Sequence, residues 1–332
     1  MLSFNKQLNT ASAQLASHYV LSGGATVSLA VLANGANSAT VTLTTSTRSL
    51  AATTLTITGV TDNRASLNPI NPNPTIVVLT GSSVVAGAGW ADTWQFNSNN
   101  LDSTSGAWKN TSYVPGADWG SGPALFGSET GASLTAAPAP IGTALTPNSV
   151  VATSNLLVTT YFRKSITLPA LPAGAQYVIC HYTDDGHITY LDGTEIYRFG
   201  MPSGAVTFTN RSSGIPTGEA TMRSFSFTAT PGTHTLAVEL HQAGGTSSDV
   251  LFGMEVHIVG GPSPALSVSH TAGGPVNLNW TADSAWRLRG AAGVAGPYLD
   301  VAIPAGSLPG TFSLPSISVT NHNFWLLDYI CP

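Results

Sequence analysis

Hydrophobic and polar residues alternate one by one through Thr26–Val31, Thr40–Thr44 and Thr54–Thr58. A period of two, carried by β-branched residues, predicts strands with one face buried and one in water. The same reading predicts strands over Val158–Leu168, Tyr177–Tyr182, Ile188–Leu191, Ser224–Ala229 and His234–Leu240. Further along, Ala265–Ser269, Val276–Trp280, Trp286–Arg289 and Phe324–Leu327 continue the pattern. Turn signals punctuate these runs at Pro172-Ala173-Gly174, Asp185-Gly186 and Pro231-Gly232. Asp192-Gly193 between two short apolar runs is a hairpin signal, because that turn needs positive φ. Ala11–Ala16 is the one plausible helical turn. The expectation is an all-β protein of three tandem β-sandwiches, over residues 1–75, 76–262 and 263–332. The Pro/Asn stretch Asn68–Pro74 forms a stiff boundary after the first.

Composition narrows the class. Of 332 residues only 27 are charged, three of them lysines, whereas Thr and Ser number 41 and 36. A net charge of −5 with so few cations excludes the phosphate-neutralising stripe of a nucleic-acid binder. Glu, Lys, Ala and Leu are too sparse for coiled coils, and 42% hydrophobic residues argue against disorder. No run approaches 18 apolar residues, so no membrane insertion is expected. Thr- and Ser-rich strands with few lysines predict an extracellular or cell-surface protein. The opening Met1–Gln14 has no basic n-region or apolar h-region, which predicts a removed leader or a longer parent chain. Cys180 and Cys331 fall in different predicted sandwiches without a local partner. They read as two buried free thiols, with a disulfide between domains or subunits as the alternative.

Three resemblances add to this pattern. The run Ser3–Asn9, with Ala11–Ala13, His18–Ser22 and Leu55–Asp62, resembles the bacterial Ig-like domains of S-layer and cell-surface proteins. Such domains begin several residues earlier in their first strand, so the resemblance implies a first strand that is short or completed by something else. The middle segment is similar to a galactose-binding-like jelly roll, of the kind accompanying calcineurin-like phosphoesterases. That likeness lies in Trp119–Gly127, Thr160–Lys164, Asp184–Glu195, Ala237–Gln242 and Thr246–Asp249. The last segment resembles a small fibronectin- or Ig-like domain through Leu278–Trp280, Trp286–Leu288 and Gly296–Tyr298.

Candidate chemistry is sparse. Asp184-Asp185-Gly186 sets two carboxylates side by side at a strand end, and Asp249 with Ser247 and Ser248 could add oxygens. Calcium wants six to eight such ligands. An Asx-type turn explains the pair equally, and direct ligand contact is a third reading. His181 and His187, six apart across a turn, are placed to face each other on neighbouring strands. With His241 and His257 they read as structural histidines. Glu195, Glu239 and Glu255 are the carboxylates available for glycoside hydrolysis in the middle segment, and a structural role for Glu239 is expected. Gly-x-Ser-x-Gly and Gly-Asn-His are absent, so no catalytic residue is expected. Trp90, Trp94, Trp108 and Trp119 read as core, or as platforms for sugar rings.

The resulting expectation is a non-enzymatic extracellular structural protein that associates with copies of itself through β edges. The run Asn323–Ile330 reads as the last strand of its own domain, or as an apolar segment that docks elsewhere with Cys331 locking the junction. The alternative function is a set of carbohydrate-binding modules from a larger secreted enzyme, with polysaccharide as partner.

Overall fold

Strands dominate because alternation and turn chemistry leave little else to form. The computed structural model describes residues 2–33, 38–46, 53–79, 81–99, 105–128, 132–145, 158–213, 220–243, 249–260, 266–270, 276–280, 286–291, 299–301, 311–314 and 324–331. The first sandwich packs β1 (Leu2–Ser3), β4 (Thr40–Thr45) and β3 (Val27–Leu32) against β2 (Tyr19–Leu21), β5 (Thr53–Ile57) and β6 (Thr75–Leu79). β5 alternates strictly, sending Thr53, Leu55 and Ile57 inward. α1 (Thr10–Ala13) occupies the expected helical turn, where the Asn9 side chain accepts the Ser12 N–H at 3.0 Å.

The middle sandwich has two larger sheets. In one, β11 (Thr143–Ala144), β10 (Phe126–Ser128), β18 (Val250–Val259), β13 (Gln176–Asp184) and β16 (Thr221–Phe227) lie side by side, and β7 (Ser82–Val84) also pairs with β18. The other runs β15 (Thr194–Phe199), β14 (Gly186–Leu191), β17 (Gly232–His241), β12 (Thr159–Leu168), β8 (Thr93–Asn97) and β9 (Gly120–Pro123). Phe162 of β12 and Phe252 of β18 stack across the core with ring centres 4.0 Å apart. Every residue of β18 is buried, so it shows no alternation, and the period-two reading passed over this central strand. Gly253 leaves room on its outer face: a Cβ there would lie 1.9 Å from Leu125 Cδ2. A short helix, α2 (Ala132–Ala136), was not anticipated; its Ala-rich run has good helix propensity and stops before Pro138.

The third sandwich comprises β19 (Ser267–His270), β20 (Val276–Asn279) and β23 (Thr311–Leu314) in one sheet, with β22 (Leu299–Asp300), β21 (Trp286–Ala291) and β24 (Phe324–Tyr329) in the other. β24 is thus a strand of its own domain, pairing with β21 from Trp286↔Tyr329 to Ala291↔Phe324. Its end also docks on the middle sandwich. Trp286 and Tyr329 pack with Val178, Cys180 and Val259. The Ser224 hydroxyl donates to the Tyr329 carbonyl at 2.6 Å.

At this junction the free-thiol expectation fails. Cys180 and Cys331 form a disulfide, with Cα atoms 5.9 Å apart and 151 residues between them in sequence. Separation in sequence hid the pair, because only docking of the third sandwich brings Cys331 onto the outer face of β13.

Candidate functional site

β12 pairs with β17 along its whole length but with β8 only from Tyr161↔Asn97 to Arg163↔Gln95. Two adjoining hollows lie where that pairing ends, about 360 and 330 Å³ in volume, sharing Gln95, Arg163, Lys164 and Ser165. Asp92, Thr93 and Trp94 line the first as well. Thr111, Tyr113, Val114, Pro115 and Thr233–Thr235 line the second. Together they form a trough rich in hydroxyl and amide groups.

Strand parity explains its unusual cations. Phe162, Ile166 and Leu168 face the core, and Lys164 shares their parity. Its side chain is buried, with the ammonium 5.1 Å from the centre of the Trp94 ring. Neither Lys164 Nζ nor Trp94 Nε1 has a hydrogen-bond partner among the described residues. Burial pushes the Lys164 pKa down, opposed by the charge of Asp92. Arg163, of opposite parity, donates to the carbonyls of Tyr113 at 2.6 Å and Asn110 at 3.2 Å. Burial lowers its pKa too. Asp92 Oδ2 accepts the Gly89 N–H at 2.6 Å.

His234 faces two acceptors: Asp192 Oδ2 lies 2.6 Å from Nδ1 and the Thr230 carbonyl 2.8 Å from Nε2. Two acceptors favour the doubly protonated ring, and the hydrogen bond to Asp192 raises the His234 pKa. Beside these polar groups stand Tyr113, Pro115 and Val114, the last 83% exposed. Polar donors and acceptors beside a small apolar platform suit a polyhydroxylated ligand with C–H faces. Asp92 is the single carboxylate among the described lining residues, which therefore present no carboxylate pair of the kind glycoside hydrolysis uses.

The structure brings the three aspartates expected as calcium ligands into one corner. Asp184 and Asp185 are buried, and Asp185 Oδ2 accepts the Ala243 N–H at 2.7 Å. Burial raises the Asp185 pKa, and the charge of Asp249 adds to the rise. Among the described residues no group of three His, Cys, Asp or Glu side chains is arranged to hold a metal ion.

His181 and His187 meet between the sheets, His187 Nε2 lying 3.2 Å from His181 Nδ1. Thr183 and Thr189 flank them at 3.2 and 3.1 Å, and the rings of Tyr197, Phe199 and Phe225 surround His181. Burial pushes the His187 pKa down to about 3 and that of His181 well below the ordinary value.

His241 and Glu239 belong to a separate buried network, in which the Tyr190 hydroxyl donates to Glu239 at 2.5 Å. Glu255 lies 2.7 Å from His257 and accepts the Trp90 N–H, while Glu195 pairs with Arg198. These carboxylates are held in structural contacts. Trp94 and Trp108 are buried; Trp90 and Trp119 are half-buried. The sequence reading missed Lys164, although a lysine at core parity in a lysine-poor chain was the available signal.

No protein-family model and no curated protein matches the chain. Similar solved structures include a β-glucuronidase of an uncultured Clostridium species, with 9% identity and a TM-score of 0.32; 75% of this chain covers 43% of that one. A β-glycosidase from Bacteroides vulgatus aligns at 11% identity and a TM-score of 0.32, over 66% of this chain and 27% of that one. A glycosyl hydrolase family 2 member from Bacteroides cellulosilyticus aligns at 8% identity and 0.33, over 76% and 32%. The chain spans less than half the length of each.

Proposed function

We propose that the protein is a non-catalytic carbohydrate-binding module set, with the middle sandwich holding a polysaccharide in the trough beside β12. The observation that carries this reading is the trough itself: Gln95, Ser165, Thr111 and Thr233–Thr235 present polar groups next to an exposed apolar platform, with one carboxylate among the described lining residues. An extracellular or cell-surface setting belongs to the same reading, supported by the disulfide, which persists in oxidising compartments. Affinity electrophoresis of the full chain through gels containing different polysaccharides tests it. At least one should retard the protein, and Gln95→Ala with Ser165→Ala should relieve the retardation, since both side chains are exposed in the trough. Unretarded migration in every polysaccharide overturns the reading.

Calcium at Asp184, Asp185 and Asp249 accompanies this proposal and would require the three side chains to draw together, because as they stand they form no three-ligand cluster. It is supported by Gln242, a buried side chain whose Nε2 donates to the Asp249 carbonyl and whose Oε1 has no partner among the described residues. Chelator should then lower the melting temperature; superimposable melts with calcium and with chelator would remove the ion from the account.

Self-association is a second reading, favoured by the first sandwich. Val20, Thr56 and Ile76 form a row across the outer face of its β2–β5–β6 sheet, with Val20 and Ile76 59% and 63% exposed. Sedimentation velocity at rising concentration tests it. Concentration-dependent oligomers support the reading, and a monomer throughout ends it.

A further inference from the structure

We infer that Arg163 is the positioning residue of the trough. It holds loop 110–119 from beneath, so that Tyr113, Val114 and Pro115 stand as a fixed wall against which a sugar ring seats. The inference rests on the carbohydrate-binding reading and adds the residue that sets its affinity through another group.

Parity along β12 divides the work of its outer face among Tyr161, Arg163 and Ser165. Tyr161 packs against Trp108, with ring centres 4.7 Å apart, and so anchors the short helical turn Ala107–Lys109. Ser165 is exposed in the trough. Arg163 stands between them and is buried. A guanidinium is costly to bury unless its donors are used. Here Nη1 donates to the Tyr113 carbonyl at 2.6 Å and Nη2 to the Asn110 carbonyl at 3.2 Å. The Tyr113 ring centre lies 5.2 Å from the guanidinium carbon. All three contacts go to one loop, and two of them to its main chain.

That loop supplies the apolar wall of the second hollow. Its tip is in water, with Val114 almost fully exposed, so packing does little to fix it. Hydrogen bonds do. The Trp119 indole N–H donates to the Tyr113 hydroxyl at 3.0 Å, so Tyr113 is held at its carbonyl by Arg163 and at its hydroxyl by Trp119. A wall ordered in advance spares the ligand the cost of ordering it. Arginine suits the task because one planar fork offers two donors in fixed relation, and these meet carbonyls three residues apart. Lysine keeps the charge and the stem but offers a compact ammonium on a flexible chain. With lysine the wall is in place for only a fraction of the time, and affinity falls by that fraction.

Calorimetry on the full chain, well below its melting temperature, tests the inference with three soluble probes: a xylan, a galactan and polygalacturonate. For each polymer that the unaltered protein binds, Arg163→Lys should weaken binding at least about tenfold. The Trp119 indole N–H signal in proton–nitrogen NMR spectra, identified by its loss in Trp119→Phe, should shift or broaden in Arg163→Lys, because its acceptor Tyr113 is no longer held. A residue that only stabilised the sandwich would lower the melting temperature and leave the dissociation constant of the folded protein unchanged. An unchanged dissociation constant therefore overturns the inference while sparing the carbohydrate-binding reading. Lost affinity with an unmoved indole signal overturns it too, since the wall would then stand without Arg163. Should Arg163→Lys fail to fold, Trp119→Phe decides: it frees the Tyr113 hydroxyl from the half-buried side of the loop and should weaken binding about threefold, and undiminished affinity overturns the inference. Binding of none of the three polymers by the unaltered protein overturns both readings.

Discussion

The first and middle sandwiches solve the same packing problem differently. In the first, strands keep one face in water: β3 leaves Leu29 and Val31 exposed at 51% and 43% while burying Ala30 and Leu32. In the middle one, β13 and β18 are covered on both sides, by the inner core and by an outer layer that includes Trp286, Tyr329 and Leu125. Double coverage puts polar residues into the interior, where each needs a partner or a neutral form. The histidine pair and Lys164 are two outcomes of that demand. At the histidine end the rings bond to each other and to Thr183 and Thr189, and they stay neutral. On the core face of β12 the Lys164 ammonium is instead laid over the Trp94 ring, without a hydrogen-bond partner among the described residues.

The contrast should be sharpest in acid. Unfolded histidines take up a proton near 6.5, whereas His181 and His187 stay neutral when folded, His187 down to about 3. Their contribution to stability is therefore present above pH 6.5 and falls as pH drops toward the folded values. At about 1.4 kcal/mol per pH unit, His187 alone removes on the order of 2–3 kcal/mol between pH 6.5 and 4.5, and His181 acts in the same direction. Asp185, with its raised pKa, opposes the loss as pH falls through its folded value. Asp62 in the first sandwich is held low, by the Asn68 side chain foremost, and keeps its contribution until pH falls through its folded value. Urea melts across this range should show the middle sandwich weakening while the first holds steady. A pH-independent middle transition would break the comparison.

Core truncation comes next. Phe162→Ala removes the ring stacked on Phe252 and should cost about 4 kcal/mol, measured by denaturant unfolding. A loss below about 1 kcal/mol would mean that the two sheets repack freely. Cys180→Ser with Cys331→Ser should cost about 3 kcal/mol and loosen the docked third sandwich, seen as faster amide exchange around Ser224 and Tyr329. Unchanged exchange there would show that the apolar contact suffices. The smallest effect belongs to the first sandwich. Ile76→Thr, on its exposed face, should shift stability by less than about 0.5 kcal/mol, and a larger loss in the unfolding midpoint would show that this face is covered in solution.

Legibility followed burial. Strands with one wet face, such as β4 and β5, announced themselves by alternation. The long strand β12 was also visible, because Thr159–Leu168 is rich in β-branched and aromatic residues. β18 was not, since a strand buried on both faces carries no period. Within the site, the meeting of His181 and His187 could be read from six residues and a turn, because a tight connection fixes which positions face each other. The trough could not. It depends on where β8 stops pairing with β12, a register set by contacts between segments more than sixty residues apart.

By itself the sequence determined the all-β class, the lack of a nucleic-acid-binding charge pattern and the turn and hairpin positions, because these follow from composition and from neighbours along the chain. Tertiary structure alone decided that Cys180 meets Cys331, that Lys164 is buried against Trp94, and that Asp185 lies close enough to Asp249 to feel its charge. Each of those depends on which distant strands lie side by side, and that is decided by the burial of whole faces, a quantity no local window contains.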